Sequence, residues 1–283
     1  KKTMKQIHSY SLIKTVIIIK NIKGRKNIMQ PVIIKNVTIG NGIPKICVSL
    51  LGSNRHEICT EIATILHTPI DVVEWRLDYF KEVEDIHKCL EMLEIIHNKL
   101  PNMPLITTFR SLEEGGCKAI PSAYYLALNK SLIRSGKTDV VDLELFHEKN
   151  ELQDCINEAH SNNCKVILSN HDFKQTPNEN ILLNRFMQMQ ELGADIFKIA
   201  LMPISKQDVI TLLCVTHKMQ QTSNCPIITM SMGELGVISR ICGEVFGSAL
   251  TFGALNETSA PGQLQVEELK KMLSIVHECN NIV

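Results

Sequence analysis

Short apolar runs alternate along the chain with longer segments in which apolar residues recur every three or four positions. Eight of these runs have the length and composition of buried strands: "KICVSLL" (45–51), "VVEWRLDYF" (72–80), "PLITTFR" (104–110), "VVDLEL" (140–145), "KVILSNHDF" (165–173), "DIFKIALMP" (195–203), "PIITMSM" (226–232) and "ALTFGAL" (249–255). The helix-like segments follow them at 54–67, 83–99, 122–136, 148–162, 178–192, 205–220, 235–246 and 265–278. Upstream, "PVIIKNVTIGNGIP" predicts a small hairpin with "GNG" as its turn.

Eight strand–helix units in about 250 residues predict an α/β fold of the (β/α)8 TIM-barrel type, preceded by a short N-terminal β-hairpin. Two helix starts are predicted from capping patterns, at Thr176 before Pro177 and at Ser205 with Asp208. The alternative is a doubly wound sheet. However, no G-x-G-x-x-G turn follows any of the predicted strands, so a dinucleotide-binding domain has no support.

The first 28 residues differ in composition from the rest. They are rich in lysine and contain no acidic residue. We therefore expect 1–28 to be an extension outside the fold and 29–283 to form one barrel domain. The apolar run at 15–19 is too short to span a bilayer and resembles no signal peptide, so no membrane partner is expected.

Charge and cysteine content narrow the class of partner and the compartment. Thirty basic residues balance thirty acidic ones without a block of either sign, which argues against nucleic acid and favours a small-molecule partner. The ten cysteines include no C-x-x-C pair, and most lie in apolar runs. Buried reduced thiols explain this better than disulfides or zinc, so we expect a cytoplasmic protein without a metal.

Charged residues concentrate where the chemistry of a barrel takes place, at the carboxyl ends of the strands. Any one of them could be an inward polar residue paired with a neighbour. Burying the whole set is costly unless it surrounds a ligand. The set comprises Glu74, Arg76, Asp78, Arg110, Asp142, Glu144, His171, Lys198 and Arg240.

Lys198 carries the clearest chemical signal, because it lies between Phe197 and Ile199 in a strand that is otherwise apolar. An unpaired ammonium is rarely buried there. Desolvation and a nearby cation, Arg76 or Arg110, would favour the neutral amine, a nucleophile for carbonyl groups. The resulting imine acidifies the adjacent carbon, whose proton His171 can accept. The sequence thus predicts Schiff-base chemistry, either an aldol cleavage or an elimination of water.

The arginines predict an anionic substrate. Arg240 could form a bidentate pair with a carboxylate. No clear glycine-rich phosphate site follows strands 7 and 8, so a carboxylate is favoured over a phosphate ester.

Seven motifs, taken in order, resemble the type I 3-dehydroquinate dehydratases of the shikimate pathway. They are "VEWRLDYF", "TFRSLEEGG", "VDLEL", "SNHDF", "DIFKIALMP", "SMGELGVISR" and "FGSALTFGALNETSAPGQL". The similarity extends from about residue 31 to the end of the chain. It implies a TIM-barrel hydro-lyase without cofactor, which converts 3-dehydroquinate to 3-dehydroshikimate and water by syn elimination in chorismate and aromatic amino acid biosynthesis.

The resemblance also implies roles for individual residues. Lys198 would form the imine, His171 would remove the C2 proton and protonate the departing C1 hydroxyl, and Glu114 rather than Glu113 would orient His171. The implied substrate-binding residues are Ser49, Glu74, Arg76, Arg110, Arg240 for the carboxylate, Ser259 and Gln263. Asp142 and Glu144 would support this set, and Met232 and Phe252 would supply apolar wall.

The loop "SAPGQ" (259–263) is expected to be a lid, since Pro261 stiffens it and Gly262 frees it. The family also implies a homodimer. Two alternative functions are a class I aldolase acting on a phosphorylated sugar, which would need a clearer phosphate site, and a catalytically silent barrel that only binds a carboxylate.

Overall fold

The computed structural model describes residues 29–255 and 257–280, so the predicted extension at 1–28 lies outside the described residues. The strands are β1 (Val32–Ile34), β2 (Val37–Ile39), β3 (Lys45–Leu50), β4 (Val72–Arg76), β5 (Leu105–Thr108), β6 (Val140–Glu144), β7 (Lys165–Asp172), β8 (Ile196–Leu201), β9 (Ile227–Ser231), β10 (Leu250–Ala254) and β11 (Leu264–Gln265). The α-helices are α1 (Arg55–Ile65), α2 (Ile86–Lys99), α3 (Ser122–Arg134), α4 (Lys149–Ser161), α5 (Glu179–Glu191), α6 (Lys206–Thr222), α7 (Ile238–Ile241), α8 (Gly243–Phe246) and α9 (Val266–Asn280).

The eight predicted barrel strands, β3 to β10, are all parallel and follow chain order around the sheet. β10 pairs with β3, and the remaining gap is closed by a parallel bridge between Ile227 and Ser248, where the amide of Ala249 donates to the carbonyl of Ile227 at 2.8 Å. The predicted TIM-barrel fold is therefore confirmed.

The lower barrel interior is apolar and closed at its N-terminal end. One inward residue from each strand forms this layer: Cys47, Val72, Ile106, Val140, Ile167, Ile196, Ile228 and Leu250. Val32, Ile34 and Ile39 of the antiparallel hairpin β1–β2 belong to the same apolar cluster. The predicted hairpin is thus confirmed, and it seals the end of the barrel opposite the charged residues.

Several local predictions were wrong. The hairpin turns at Lys35 and Asn36, with Lys35 at φ +52°, whereas "GNG" follows the second strand. Asp78 lies in a 3-10 turn at 77–79, just beyond β4. The segment predicted as one helix at 235–246 is a 3-10 turn at 234–236 followed by the short helices α7 and α8.

Helix capping explains one confirmed and one wrong start. Ser205 and Asp208 form the predicted capping box of α6. α5 instead starts at Glu179, because the side chain of Asn178 rather than Thr176 accepts a hydrogen bond from the first turn.

Within 29–255 and 257–280, no helix is long and apolar enough to cross a bilayer.

Candidate active site

The next inward layer, immediately above the apolar one, is largely polar. Because successive residues of a strand point to opposite faces, a step of two residues along each strand leads from one layer to the other. Two residues after the apolar positions, the strands carry Ser49, Glu74, Thr108, Asp142, Ser169, Lys198, Met230 and Phe252. A cavity opens here at the carboxyl end of the barrel, lined by Lys198, Glu74, His171 and Glu114 among others.

Lys198 is 4% exposed at the centre of this layer. Its Nζ lies 2.9 Å from Oδ2 of Asp142 and 3.4 Å from Oε1 of Glu74, and it sits over the ring of Phe252 at 4.6 Å from the centroid. A neighbouring cation was expected to favour the neutral amine of Lys198. These two carboxylates act in the opposite direction, because they stabilise positive charge on the nitrogen. This arrangement suits both an ammonium and a protonated imine.

Asp142 and Glu74 are ionised partners for that charge. Burial alone would raise the pKa of Asp142, but the charges of Arg110 and Lys198 hold it well below its ordinary range. Burial likewise raises the pKa of Glu74, but the charges of Lys198 and Arg76 lower it, and the net shift of this pKa is downward. Glu74 also accepts hydrogen bonds from Ser49 at 2.6 Å and from Thr108 at 2.9 Å. Asp142, predicted as a supporting residue, thus contacts the lysine directly.

Arg110 lines the cavity, but its guanidinium already has several protein partners. NH2 donates to Asp142 at 2.7 Å, and NH1 donates to Glu144 at 3.0 Å and to Ser169 at 2.9 Å. Glu114 lies farther away, at 3.5 Å from NH1. Arg110 is therefore the cation that makes a cluster of buried carboxylates tolerable. Arg76, which also lines the cavity, forms a two-point ion pair with Asp78 at 2.8 Å.

His171 and Glu114 form a pair at the edge of the cavity. Nδ1 of His171 lies 2.9 Å from Oε2 of Glu114, and the amide of His171 donates to the same oxygen at 2.9 Å. Burial and the nearby charges of Arg110 and Lys198 lower the pKa of His171 well below its ordinary value. With the proton of the neutral ring held on Nδ1 by Glu114, Nε2 carries the lone pair of a base.

Arg240, on α7, is a buried cation without a carboxylate partner among the residues that the structure describes. It is 1% exposed; its NH2 donates to the carbonyl of Pro261 at 2.9 Å, and NH1 lies 3.9 Å from the sulfur of Met230. Its Nε is buried and unpaired. Burial lowers the pKa of this guanidinium to about 10, which indicates an environment that lacks a balancing anion. A ligand carboxylate would supply that anion.

The predicted lid lies folded over the site. Ser259 is 3.2 Å from Ser49, and Gln263 donates to Ser259 at 2.8 Å. The amide of Gly233 donates to the carbonyl of Pro261 at 3.1 Å, which ties the loop to the end of β9. Ser259 and Gln263 line the cavity with Met232 and Phe252. The loop 259–263 therefore connects the lysine side of the site to Arg240.

Replacing Gly262 by alanine should loosen this loop. Gly262 has φ +79°, and a Cβ there would clash with the backbone of Gly233. The left-handed backbone alone costs about 1–2 kcal/mol for an L-residue. We expect KM for a carboxylate substrate to rise about tenfold, with the midpoint of thermal unfolding lowered by only a few degrees. Steady-state kinetics and calorimetry measure both.

Gly193→Ala is the matched control, since Gly193 has φ +82° in open space before β8. It should leave KM unchanged. An unchanged KM for Gly262→Ala would mean that docking of the loop does not contribute to binding.

The structure brings together all ten predicted site residues. Two of them contact the cavity only through neighbours: Ser49 hydrogen-bonds to Glu74 and Ser259, and Arg240 donates to the carbonyl of Pro261. The other eight line the cavity directly: Glu74, Arg76, Arg110, Glu114, His171, Lys198, Ser259 and Gln263. Sequence reasoning missed Ser169 and Asn170. Ser169 donates to Asp142 at 2.6 Å, and Asn170 donates to Glu114 at 2.9 Å. Their only signal was proximity to His171 in "SNHDF".

Among the described residues, no group of three or more His, Cys, Asp or Glu side chains is arranged to hold a metal ion. The fold and site define a class: a (β/α)8 enzyme whose cavity combines a buried lysine, a histidine–glutamate pair and a buried arginine.

Comparison with known proteins identifies the family within this class. A family model described as type I 3-dehydroquinase matches residues 46–280. The chain is 50% identical over 245 residues to the 3-dehydroquinate dehydratase of Clostridium kluyveri, covering 86% of this chain and 96% of the relative. It is 48% identical over 250 residues to the enzyme of Listeria monocytogenes serotype 4a, covering 88% and 99%.

Solved structures of 3-dehydroquinate dehydratases are similar to this chain as well. The type I 3-dehydroquinate dehydratase of Clostridium difficile, with covalently modified comenic acid, matches with a TM-score of 0.87 at 45% identity, covering 89% of this chain and 100% of that chain. The 3-dehydroquinate dehydratase of Enterococcus faecalis matches with a TM-score of 0.82 at 41% identity, covering 87% and 99%. The chain belongs to the type I 3-dehydroquinase family. The predicted family and hydro-lyase activity in the shikimate pathway are confirmed.

Proposed function

We propose that Lys198, His171 and Glu114 carry out the dehydration of 3-dehydroquinate to 3-dehydroshikimate. The observation that carries this proposal is that the buried lysine and the His171–Glu114 pair line one cavity, so that one substrate can contact both. The aldolase and the silent barrel are not favoured, because the family is that of a dehydratase and the lysine, base and orienting acid all occur together.

Imine formation comes first. Lys198 attacks the substrate ketone as the neutral amine after giving up one proton, for which neutral His171 is an available acceptor in the cavity. The protonated His171 returns this proton to the hydroxyl of the resulting carbinolamine, which leaves as water; a protonated imine and neutral His171 remain. Asp142 and Glu74 stabilise this positive charge as they stabilise the ammonium of the free lysine.

Elimination follows from the electron demand of the imine. Nε2 of His171 takes the C2 proton, and the electrons of that C–H bond flow into the imine to give an enamine. The enamine electrons return to expel the C1 hydroxyl, which the protonated His171 converts to water. Hydrolysis of the imine then releases 3-dehydroshikimate and restores Lys198. Removal and return of the proton by one residue on one face explains a syn elimination.

Substrate binding is assigned to the remaining predicted residues. Arg240 would bind the carboxylate, because it is a buried cation without a carboxylate partner among the described residues. Ser49, Glu74, Arg76, Arg110, Ser259 and Gln263 would contact the hydroxyl groups and the carboxylate side of the ring.

The first experiment combines borohydride reduction with peptide mapping by mass spectrometry. With 3-dehydroquinate present, we expect an adduct on Lys198 and rising absorbance from the enone product. An adduct formed only with phosphorylated sugars would support an aldolase instead, and the absence of any adduct would contradict the imine mechanism.

The pH dependence should follow the His171–Glu114 pair. Burial raises the pKa of Glu114 to about 7, whereas that of His171 is lowered, so on acidification the first proton goes to the carboxylate. Protonated Glu114 no longer holds the Nδ1 proton of His171, so the active form is lost. We expect kcat/KM, which reports the free enzyme, to fall with one proton below about pH 7.

Glu114→Gln is the control for this profile. It should be less active but should lack that acidic limb, because the amide does not titrate. The same limb at pH 7 in Glu114→Gln would assign it to another group.

The remaining predictions concern organisation. We propose that the chain acts in the cytoplasm as a homodimer and that 29–283 is the catalytic unit. Alignments that span almost the whole length of the relatives over 245–250 residues support this unit. Exposed Ile210, Ile238, Val245 and Ile275 on neighbouring helices support an interface between two copies. Sedimentation velocity would show a single species with the mass of one chain, 31.9 kDa, if the dimer proposal fails.

A further inference from the structure

A hydrogen-bonded chain continues outward from the His171–Glu114 pair, away from the cavity that Lys198 lines. Oε1 of Glu114 accepts from Nδ2 of Asn170 at 2.9 Å. Oδ1 of Asn170 in turn accepts from NH1 of Arg185 at 2.6 Å. Asn170 is 3% exposed on β7, and Arg185 lies on α5, the helix that follows. Four side chains are thus connected from the candidate base to the outer side of the barrel.

Arg185, at the outer end, sets the direction of these hydrogen bonds. A guanidinium can only donate hydrogen bonds, so Arg185 holds the Oδ1 side of the Asn170 amide toward itself. The Nδ2 side must then face Glu114. A flipped amide would direct its oxygen at the carboxylate and repel the ionised form. Arg185 therefore selects an Asn170 orientation that stabilises negative charge on Glu114.

Arg185 is itself held in place without touching the substrate cavity. Its guanidinium stacks over Phe146 at 5.5 Å from the ring centroid. It lines a neighbouring cavity with Phe146 and His147, whereas the residues that line the Lys198 cavity do not include it. Glu114, Asn170 and His171 line that neighbouring cavity too, and the hydrogen-bonded route from Arg185 to Glu114 runs through Asn170.

We propose that Asn170 and Arg185 are positioning residues, which hold Glu114 as the acceptor for the Nδ1 proton of His171 and so keep the Nε2 lone pair toward the substrate. This proposal rests on the roles proposed above for His171 and Glu114. It adds a hydrogen bond that favours the ionised form of a buried glutamate beside Glu144, to which Arg110 gives only a long contact of 3.5 Å. Asn170 is the donor to Oε1, whereas the amide and Nδ1 of His171 both lie at Oε2.

Arg185→Leu tests the proposal. The charged or titratable groups that face Glu114 are Arg110, Glu144, His171 and Arg185 itself, and the first three remain in this variant. Loss of the Arg185 donor frees Asn170 and favours protonation of Glu114. We expect kcat to fall about tenfold, which is the lower end of the effect known for the partners that orient metal-ligating residues. KM should stay within about twofold, and the acidic limb of kcat/KM should move to higher pH.

Arg134→Leu is the matched control, because Arg134 forms a two-point pair with Glu158 on the surface of the barrel. It should leave kcat, KM and the pH profile unchanged. If Arg185→Leu does not fold, Asn170→Asp answers the same question, since it is isosteric and places a like charge against Glu114. It should also shift the limb to higher pH.

The outcomes separate this proposal from the proposed function. A Lys198 adduct after borohydride treatment of the wild type and of Arg185→Leu, together with the shifted limb, supports both. The same adduct with unchanged kcat and pH profile in Arg185→Leu or Asn170→Asp overturns the positioning role alone. If the wild type gives no adduct, the proposed function fails first.

Discussion

Lys198→Met should lower kcat for 3-dehydroquinate by more than about four orders of magnitude, which corresponds to about 5.4 kcal/mol of transition-state stabilisation. Methionine fills similar space but has no amine, so no imine can form and the C2 proton keeps the low acidity of an ordinary ketone. Enone absorbance measures turnover, and borohydride treatment should give no adduct in the variant.

The barrel should still fold in this variant. Without Lys198, Asp142 keeps its hydrogen bonds from Arg110 and Ser169, and Glu74 keeps those from Ser49 and Thr108. Neither carboxylate is therefore left without donors. Circular dichroism and a cooperative thermal transition check this point.

Lys165→Met is the matched control. Lys165 lies at the start of β7, at the opposite end of the barrel, where it pairs with Asp195 at 2.9 Å. The control should retain wild-type turnover. Turnover by Lys198→Met within about a hundredfold of wild type would overturn the imine mechanism.

His171→Ala should lower kcat by about a thousandfold, within the range usual for a general acid–base group. Turnover is lost for a different reason than in Lys198→Met, because His171→Ala keeps the amine of Lys198 and the cations of the cavity. Imine formation should persist, because solvent can replace His171 as acceptor of the lysine proton, whereas removal of the C2 proton becomes slow. Borohydride should therefore trap a substrate adduct on Lys198 that accumulates before product absorbance appears.

His160→Ala controls for loss of an imidazole. His160 is partly exposed and lies 2.9 Å from Asp195, outside the cavity. It should behave as wild type. Unimpaired turnover in His171→Ala would exclude His171 as the base, while the adduct on Lys198 would still stand.

The sequence by itself determined the framework and the inward set of residues. Strand and helix periodicities define eight strand–helix units. Eight parallel strands joined by right-handed helical connections are typical of a barrel. Once the strands are located, a period of two places Glu74, Asp142 and Lys198 on the inner face. The resemblance added their roles. These inferences succeed because they depend on local periodicity and on composition.

Only the tertiary structure decided how those residues are paired. Arg110, predicted to bind substrate, has carboxylates from β6 and the 112–114 turn around its guanidinium, because strand stagger brings Asp142 and Glu144 beside it. The burial of Arg240 depends on the contact between α7 and the loop that carries Pro261, which the sequence does not reveal. The link from Arg185 through Asn170 to Glu114 joins a helix, a strand and a loop. No periodicity encodes such contacts, since they depend on strand register and loop conformation.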